Sequence, residues 1–264
     1  MTTHTTAEIN ACCADAYSHP AARFLLGESL HPGGLDLTAD LARRMGLSAN
    51  DRVLDAGCGP GATAMFLAET LGCHVTGVTL EDGAVTELDH RAAEVGLADR
   101  ISVIRGDISD IDLPQAGFDA AVAECVVSIF ARKAEALSRI HDALRPGGTL
   151  GLTDVTVNGS LPKALQGIFA VAGCVGNAVS LEEYASLIEN AGFTVTECTP
   201  LPDIARDFLK GIRKKMMFAE IGAKLGKIPI SVESVKMAKG VLKETEELVE
   251  SGTLGYGMIV AERR

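Results

Sequence analysis

Val53-Leu54-Asp55-Ala56-Gly57-Cys58-Gly59-Pro60-Gly61 is the stretch that decides the fold of this chain. A short apolar strand at 52–56 ends in glycine, and a helix at 61–71 follows. The glycines allow a tight turn and let the backbone approach a ligand closely. The helix N-terminus behind them favours negative groups. The spacing is Gly-x-Gly-x-Gly, without the third-glycine offset of a dinucleotide-binding fingerprint. Asp55 ahead of the first glycine would repel a pyrophosphate and suits a ligand that carries an amino group.

Outward from this loop, strand and helix alternate. Further strands are read at 73–79, 101–105, 118–123, 149–157, 193–198 and 255–262, and further helices at 82–95, 133–144 and 181–191. Arg145-Pro146-Gly147-Gly148 is a stop and turn signal. The rhythm implies βαβ crossovers in an α/β fold: a doubly wound, seven-stranded, mostly parallel sheet that binds ligands beyond the carboxyl ends of its strands. Segments outside the rhythm are read as caps. Residues 1–50 form an N-terminal lid, and 51–200 the cofactor-binding core with an insertion near 158–180. Residues 201–252 form a helical cap with a basic amphipathic helix at 208–218 and a second helix at 233–250, and 253–264 return as the last strand.

Composition narrows the function. The 264 residues hold 24 Lys and Arg against 35 Asp and Glu, a net charge of −11. That balance argues against nucleic acid as a partner, because phosphate contacts need clustered cations. The absence of Trp and an aromatic content of 4% argue against base-stacking platforms. Apolar residues at 47% with 22% charged indicate a folded chain. Residues 1–10 lack a signal-peptide layout, and no apolar run is long enough to span a bilayer. A cytoplasmic protein without a membrane span, its thiols reduced, is the expectation. The seven cysteines are an odd number, so at least one has no partner within the chain.

The loop VLDAGCGPG resembles the cofactor loop of the class I S-adenosylmethionine-dependent methyltransferases. Gly106-Asp107, the strand FDAAVA and the turn LRPGGTLGLTDV follow in the order that family shows. The resemblance implies S-adenosyl-L-methionine as cofactor. It assigns Asp55, Gly57, Cys58, Gly59 and Gly61 to the methionine part, and Asp107 with Ile108 to the adenine. Leu80 and Glu124 complete the strand-end contacts, and Tyr17 and Gly33 lie in the pre-strand segment that folds over the cofactor. The family usually holds the ribose with Asp or Glu at the end of the second strand; this chain has Thr79 there, with Glu81 close by.

Methyl transfer from a sulfonium rests largely on alignment. Oxygen and nitrogen acceptors also need a base, whereas soft acceptors need soft ligands such as Cys. The segments AECVVSIFARKAEAL and GCVGNAVSLEEYASLIENAGF resemble those of arsenite methyltransferases. The resemblance makes Cys125 and Cys174 metalloid ligands, with Cys12 or Cys13 as a third thiolate. The acceptor it implies is arsenite or its thiol conjugate. This chain lacks the cysteine-rich C-terminal extension of many members. Rival readings are a thiol or selenol methyltransferase, an O- or C-methyltransferase of a small lipophilic metabolite, and a non-catalytic cofactor- or metalloid-binding protein. Cys58, Cys73 and Cys198 are read as core residues. His31, beside Pro32-Gly33-Gly34, is read as a hydrogen-bonding group rather than a base. The cluster Lys210, Arg213, Lys214 and Lys215 is read as a solvated helix face able to attract an anionic thiol conjugate.

Overall fold

The computed structural model describes residues 29–162, 175–225 and 231–264. Among them, seven strands form one sheet: β1 Arg52–Ala56, β2 His74–Thr79, β3 Ile101–Arg105, β4 Phe118–Glu124, β5 Leu144–Val157, β6 Phe193–Pro200 and β7 Leu254–Arg263. Their spatial order is β3-β2-β1-β4-β5-β7-β6. Neighbours from β3 to β5 pair in parallel, and β7 runs antiparallel between β5 and β6. This is the doubly wound α/β fold expected from the alternation. The strand order reverses between β1 and β4, so the carboxyl ends of these two strands open the crevice in which such sheets bind ligands.

The described helices are α1 Gly34–Met45, α2 Ala62–Phe66, α3 Asp82–Glu94, α4 Lys133–Ala143, α5 Leu181–Asn190, α6 Pro202–Lys224 and α7 Val232–Glu250. Helices cover both faces of the sheet, which is why its strands read as almost continuous apolar runs. Successive side chains of β1 point to opposite faces. Val53 belongs to the buried cluster that holds Leu41, Leu67 and Leu88, and Leu54 to the one that holds Leu137, Ile140 and Ile188.

Four features depart from the sequence reading. Residues 34–45, within the segment assigned to a lid, form α1, which buries Leu37, Leu41, Ala42 and Met45 in the core. Gly151 of β5 makes room for it: a methyl group there would stand 2.3 Å from Met45 Sδ. The Arg145–Gly148 turn is a bulge inside β5, because Leu144 still pairs with Phe118 before Thr149 pairs with Ala120. Finally, Cys198 is exposed on β6 rather than a core residue. Cys58 and Cys73 are buried; burial, and then the charge of Asp51, pushes the Cys73 thiol up to about 11. The described part of the amphipathic helix is also longer than 208–218, since Pro202 is tolerated in its first turn.

Candidate active site

The glycine-rich loop is tied to the neighbouring strand. The N–H groups of Gly57 and Cys58 both donate to the Val78 carbonyl at 2.9 Å. Two of its glycines face opposite constraints. Gly57 has φ 88°, and a methyl group on it would stand 2.3 Å from Val126 Cγ2. Gly59 has φ 49°, and nothing lies within 4 Å of the position a methyl group would take. Gly57 therefore serves packing, whereas Gly59 leaves open space on the ligand side. The Cys58 side chain turns away onto β2, its sulfur 2.6 Å from where a Cβ on Gly77 would lie. Burial, reinforced by the charge of Asp55, pushes that thiol far up, so it stays neutral.

Asp55 ends in a dry wall. It is 3% exposed, and its Oδ2 has no hydrogen-bond partner among the described residues. Burial, and then the nearby charge of Glu124, pushes its carboxyl up to about 8, against which the Ala64 backbone N–H acts. Glu124, at the end of β4, is held by two helices. Thr38 of α1 donates to it at 3.1 and 3.0 Å, and Thr63 of α2 donates at 2.6 Å. His31 Nε2 lies 3.8 Å from Glu124 Oε2, with both side chains 4% exposed. That is too long for a hydrogen bond, and Nε2 has no partner among the described residues. Nδ1 lies 3.2 Å from the Pro32 carbonyl. A carbonyl only accepts, so Nδ1 carries the hydrogen, and a neutral ring presents its lone pair at Nε2.

The second and third strands close the other side. Thr79 is buried, and its hydroxyl accepts from the Glu81 N–H at 3.3 Å. The Thr79 hydroxyl is thus engaged in its own turn, while Glu81 lines the open space. Asp107 follows β3, where its Oδ1 accepts from Ser109 N–H at 2.9 Å and Ser109 Oγ at 2.6 Å. Its Oδ2 is 3.8 Å from Arg132 Nη2.

The chain turns sharply after β4. Cys125 has φ 52°, a left-handed conformation that costs a non-glycine residue about 1 kcal/mol or more. Its N–H donates to the Thr153 carbonyl at 2.7 Å. The turn sends Glu124 toward His31 and Val126 onto Gly57. Asp154, fully buried behind it, accepts from the Ser128 N–H at 2.8 Å and so anchors the next turn, Val127–Ile129. Burial pushes the Asp154 carboxyl up to about 6, opposed first by Ser128.

These elements surround a cleft of about 1110 Å³, its open mouth included. Of the residues singled out in the sequence, Asp55, Gly57, Cys58, Gly59, Thr79, Leu80, Asp107, Ile108, Glu124 and Cys125 line it. Gly61 stands behind the loop as the N-cap of α2. Gly33 faces elsewhere: it lines a small groove with Ile204, Phe208 and Ile212 of α6. Cys12, Cys13, Tyr17 and Cys174 lie outside the described residues. The sequence reading passed over Thr38 and Thr63 and set His31 aside. The only written trace of that constellation is the short segment Leu30-His31-Pro32-Gly33, with polar residues at single positions of two helices. The cleft is apolar toward Leu30, Val126, Ile129 and Phe130. Among the described residues, no group of three His, Cys, Asp or Glu side chains is arranged to hold a metal.

The cleft thus joins an unpartnered carboxylate oxygen of Asp55, open space beside Gly59 and the Asp107–Ile108 end in one enclosure. The family described as "Methyltransferase domain" matches residues 53–148. An O-methyltransferase, resE, of Aspergillus sclerotiorum is 30% identical over 232 residues, which span 86% of this chain and 81% of that protein. A sterol 24-C-methyltransferase of Neurospora crassa is 28% identical over 188 residues, 69% of this chain and 49% of that one. The solved structure of the cyclopropane synthase MmaA2 from Mycobacterium tuberculosis superposes with a TM-score of 0.82 over 99% of both chains at 18% identity, a likeness of fold.

Proposed function

We propose that this chain, which belongs to the class I S-adenosylmethionine-dependent methyltransferases, methylates a hydroxyl oxygen on a small lipophilic molecule. S-adenosylmethionine is its cofactor, and when bound it supplies an electrophilic methyl group on a sulfonium. The chain's own residues do the rest. Asp55 would receive the cofactor's ammonium, and a positive charge there would favour the ionised form of a carboxyl otherwise held up to about 8. Glu81 takes the ribose hydroxyls, since the Thr79 hydroxyl is engaged in its turn. Asp107, oriented by Ser109, meets the adenine edge. Gly59 lets the loop approach without a side chain in the way.

The observation that carries the oxygen acceptor is the buried His31 Nε2, without a hydrogen-bond partner among the described residues, beside Glu124. A hydroxyl attacking a methyl group must lose its proton. His31 takes that proton at Nε2, and Glu124, 3.8 Å away and shielded from solvent, stabilises the imidazolium. Thr38 and Thr63 keep Glu124 in position. Leu30, Val126, Ile129 and Phe130 suit an acceptor with little polar surface. The O-methyltransferase named among the relatives supports the same class of acceptor.

A panel of hydroxylated aromatic and terpenoid acceptors, assayed for methyl transfer, tests this reading. In His31→Asn, turnover falls about 10²–10⁴-fold with cofactor affinity unchanged. Undiminished turnover overturns the role of His31. A second reading, a soft acceptor such as trivalent arsenic, is supported by Cys125 on the cleft wall. It requires arsenite turnover in the presence of glutathione that Cys125→Ser abolishes.

A further inference from the structure

The α6–α7 hairpin differs from the rest of the molecule in charge. The whole hairpin, 202–250, holds ten Lys and Arg against eight Asp and Glu, so the remainder of a chain of −11 carries −13. The hairpin's acids gather at its base, where Asp207, Glu246 and Glu247 pair with Lys210, Arg213 and Lys243. Between 208 and 243 the acids are Glu220 and Glu233 against nine Lys and Arg. One of the two acids is already neutralised: Glu220 is paired with both Lys224 and Lys239. The same region carries apolar side chains without cover. Met217, Phe218, Ile221 and Leu225 at the end of α6, and Met237 on α7, are 51–66% exposed. Lys214, Met217, Phe218, Ile221 and Leu225 follow helical spacing and share one face. Most exposed apolar residues on a soluble surface are scattered. Here they cluster inside the only strongly cationic stretch of the sequence.

We propose that this face of the α6–α7 hairpin docks on an anionic lipid surface, its apolar side chains entering the headgroup–acyl boundary and its lysines meeting the lipid charges. A cationic helix face with bulky apolar residues is the arrangement that lies in a membrane interface. The acidic remainder repels the same surface, so only the hairpin can face it, and the charge asymmetry sets the orientation as well as the affinity. A second copy of the chain is a poor occupant, because the lysines beside the exposed apolar side chains would face their own like charges. No described helix is long and apolar enough to cross a membrane, so the contact is peripheral. Docking would act beside the active cleft: the base of α6 shares a groove with Gly33, two residues from His31. The proposal is independent of which acceptor is methylated.

The test is co-sedimentation of the full chain with vesicles of phosphatidylcholine alone and of phosphatidylcholine containing phosphatidylglycerol. The expected result is partition at least about tenfold stronger on the anionic vesicles and lost at high salt. Lys214→Gln and Lys236→Gln each weaken it about fivefold, and Phe218→Ser and Ile221→Ser weaken it on the apolar side. Binding of S-adenosylhomocysteine, unchanged in all four variants, shows that they are folded. Equal partition on neutral and anionic vesicles overturns the proposal, as does no sedimentation with either. So does concentration-dependent dimerisation in solution that Phe218→Ser abolishes, which would make the face a protein interface.

Discussion

Glu124 and Glu220 each have two side-chain partners, yet they stand in regions with opposite deficits. Around Glu124 the protein is dry, and polar atoms lack partners: Asp55 Oδ2 and His31 Nε2 have none among the described residues. Around Glu220 the charges are paired and the apolar side chains lack cover. A buried polar atom without a partner costs about 1–3 kcal/mol, whereas an exposed apolar side chain forgoes stabilisation that burial would supply. The first deficit is removed by a small polar ligand, the second by an apolar surface. The two regions thus indicate different kinds of partner, even though their glutamates look alike in the sequence.

The comparison predicts that substitutions in the cleft act on stability and cofactor binding together, while those on the hairpin act on neither. Gly57→Ala has the largest expected effect. The added methyl meets Val126 at 2.3 Å in a backbone of φ 88°, and urea denaturation should show a loss of about 3 kcal/mol with cofactor binding abolished. Val126→Ala in the same chain should restore part of the stability, which separates the clash from the backbone strain.

Asp55→Asn should act with the opposite sign on stability. The folded carboxyl keeps its proton up to about 8, against 3.8 for an ordinary Asp. Between these values unfolding releases a proton, so the stability due to this group falls as pH rises and levels off above about pH 8. The amide has no charge to desolvate. Calorimetry at pH 8 should therefore find the variant more stable than the parent without cofactor. Its cofactor affinity should fall at least tenfold, the mark of a group kept for binding. Equal stability at pH 8 would show that Asp55 is not desolvated there.

Gly59→Ala sharpens the contrast within the loop. Nothing occupies the space beside it, so only the left-handed backbone costs, about 1 kcal/mol. Calorimetric titration should show about tenfold weaker cofactor binding, because the methyl group enters the ligand's path. The smallest effect belongs to the hairpin. Phe218→Ser should change stability by less than about 0.5 kcal/mol in urea denaturation and leave methylation of a water-soluble acceptor unchanged.

The sheet was legible because its rules are local. Alternating helices and β-branched runs name the strands, and the loop at 53–61 names the first βα turn. The places of Asp55, Gly59, Asp107 and Glu124 on the cleft wall were legible for the same reason: each follows the end of a strand or stands at it. Thr38 and Thr63 were not, since nothing local distinguishes a threonine that reaches Glu124 from one that faces water. Cys198 was misread because its position in a strand does not say which face of an edge strand is covered.

The sequence by itself determined the βαβ order, the glycine loop, the acidic balance and the basic stretch at 208–243, all properties of neighbouring residues. Only the tertiary structure decided that His31, Thr38, Thr63 and Glu124, up to 93 positions apart, meet at one buried carboxylate. It alone also decided that Gly57 packs against Val126 while Gly59 borders open space. The physical reason is that hydrogen bonding and burial depend on distance in space, and the sheet's crossovers bring distant strand ends to one crevice in ways that no local pattern records.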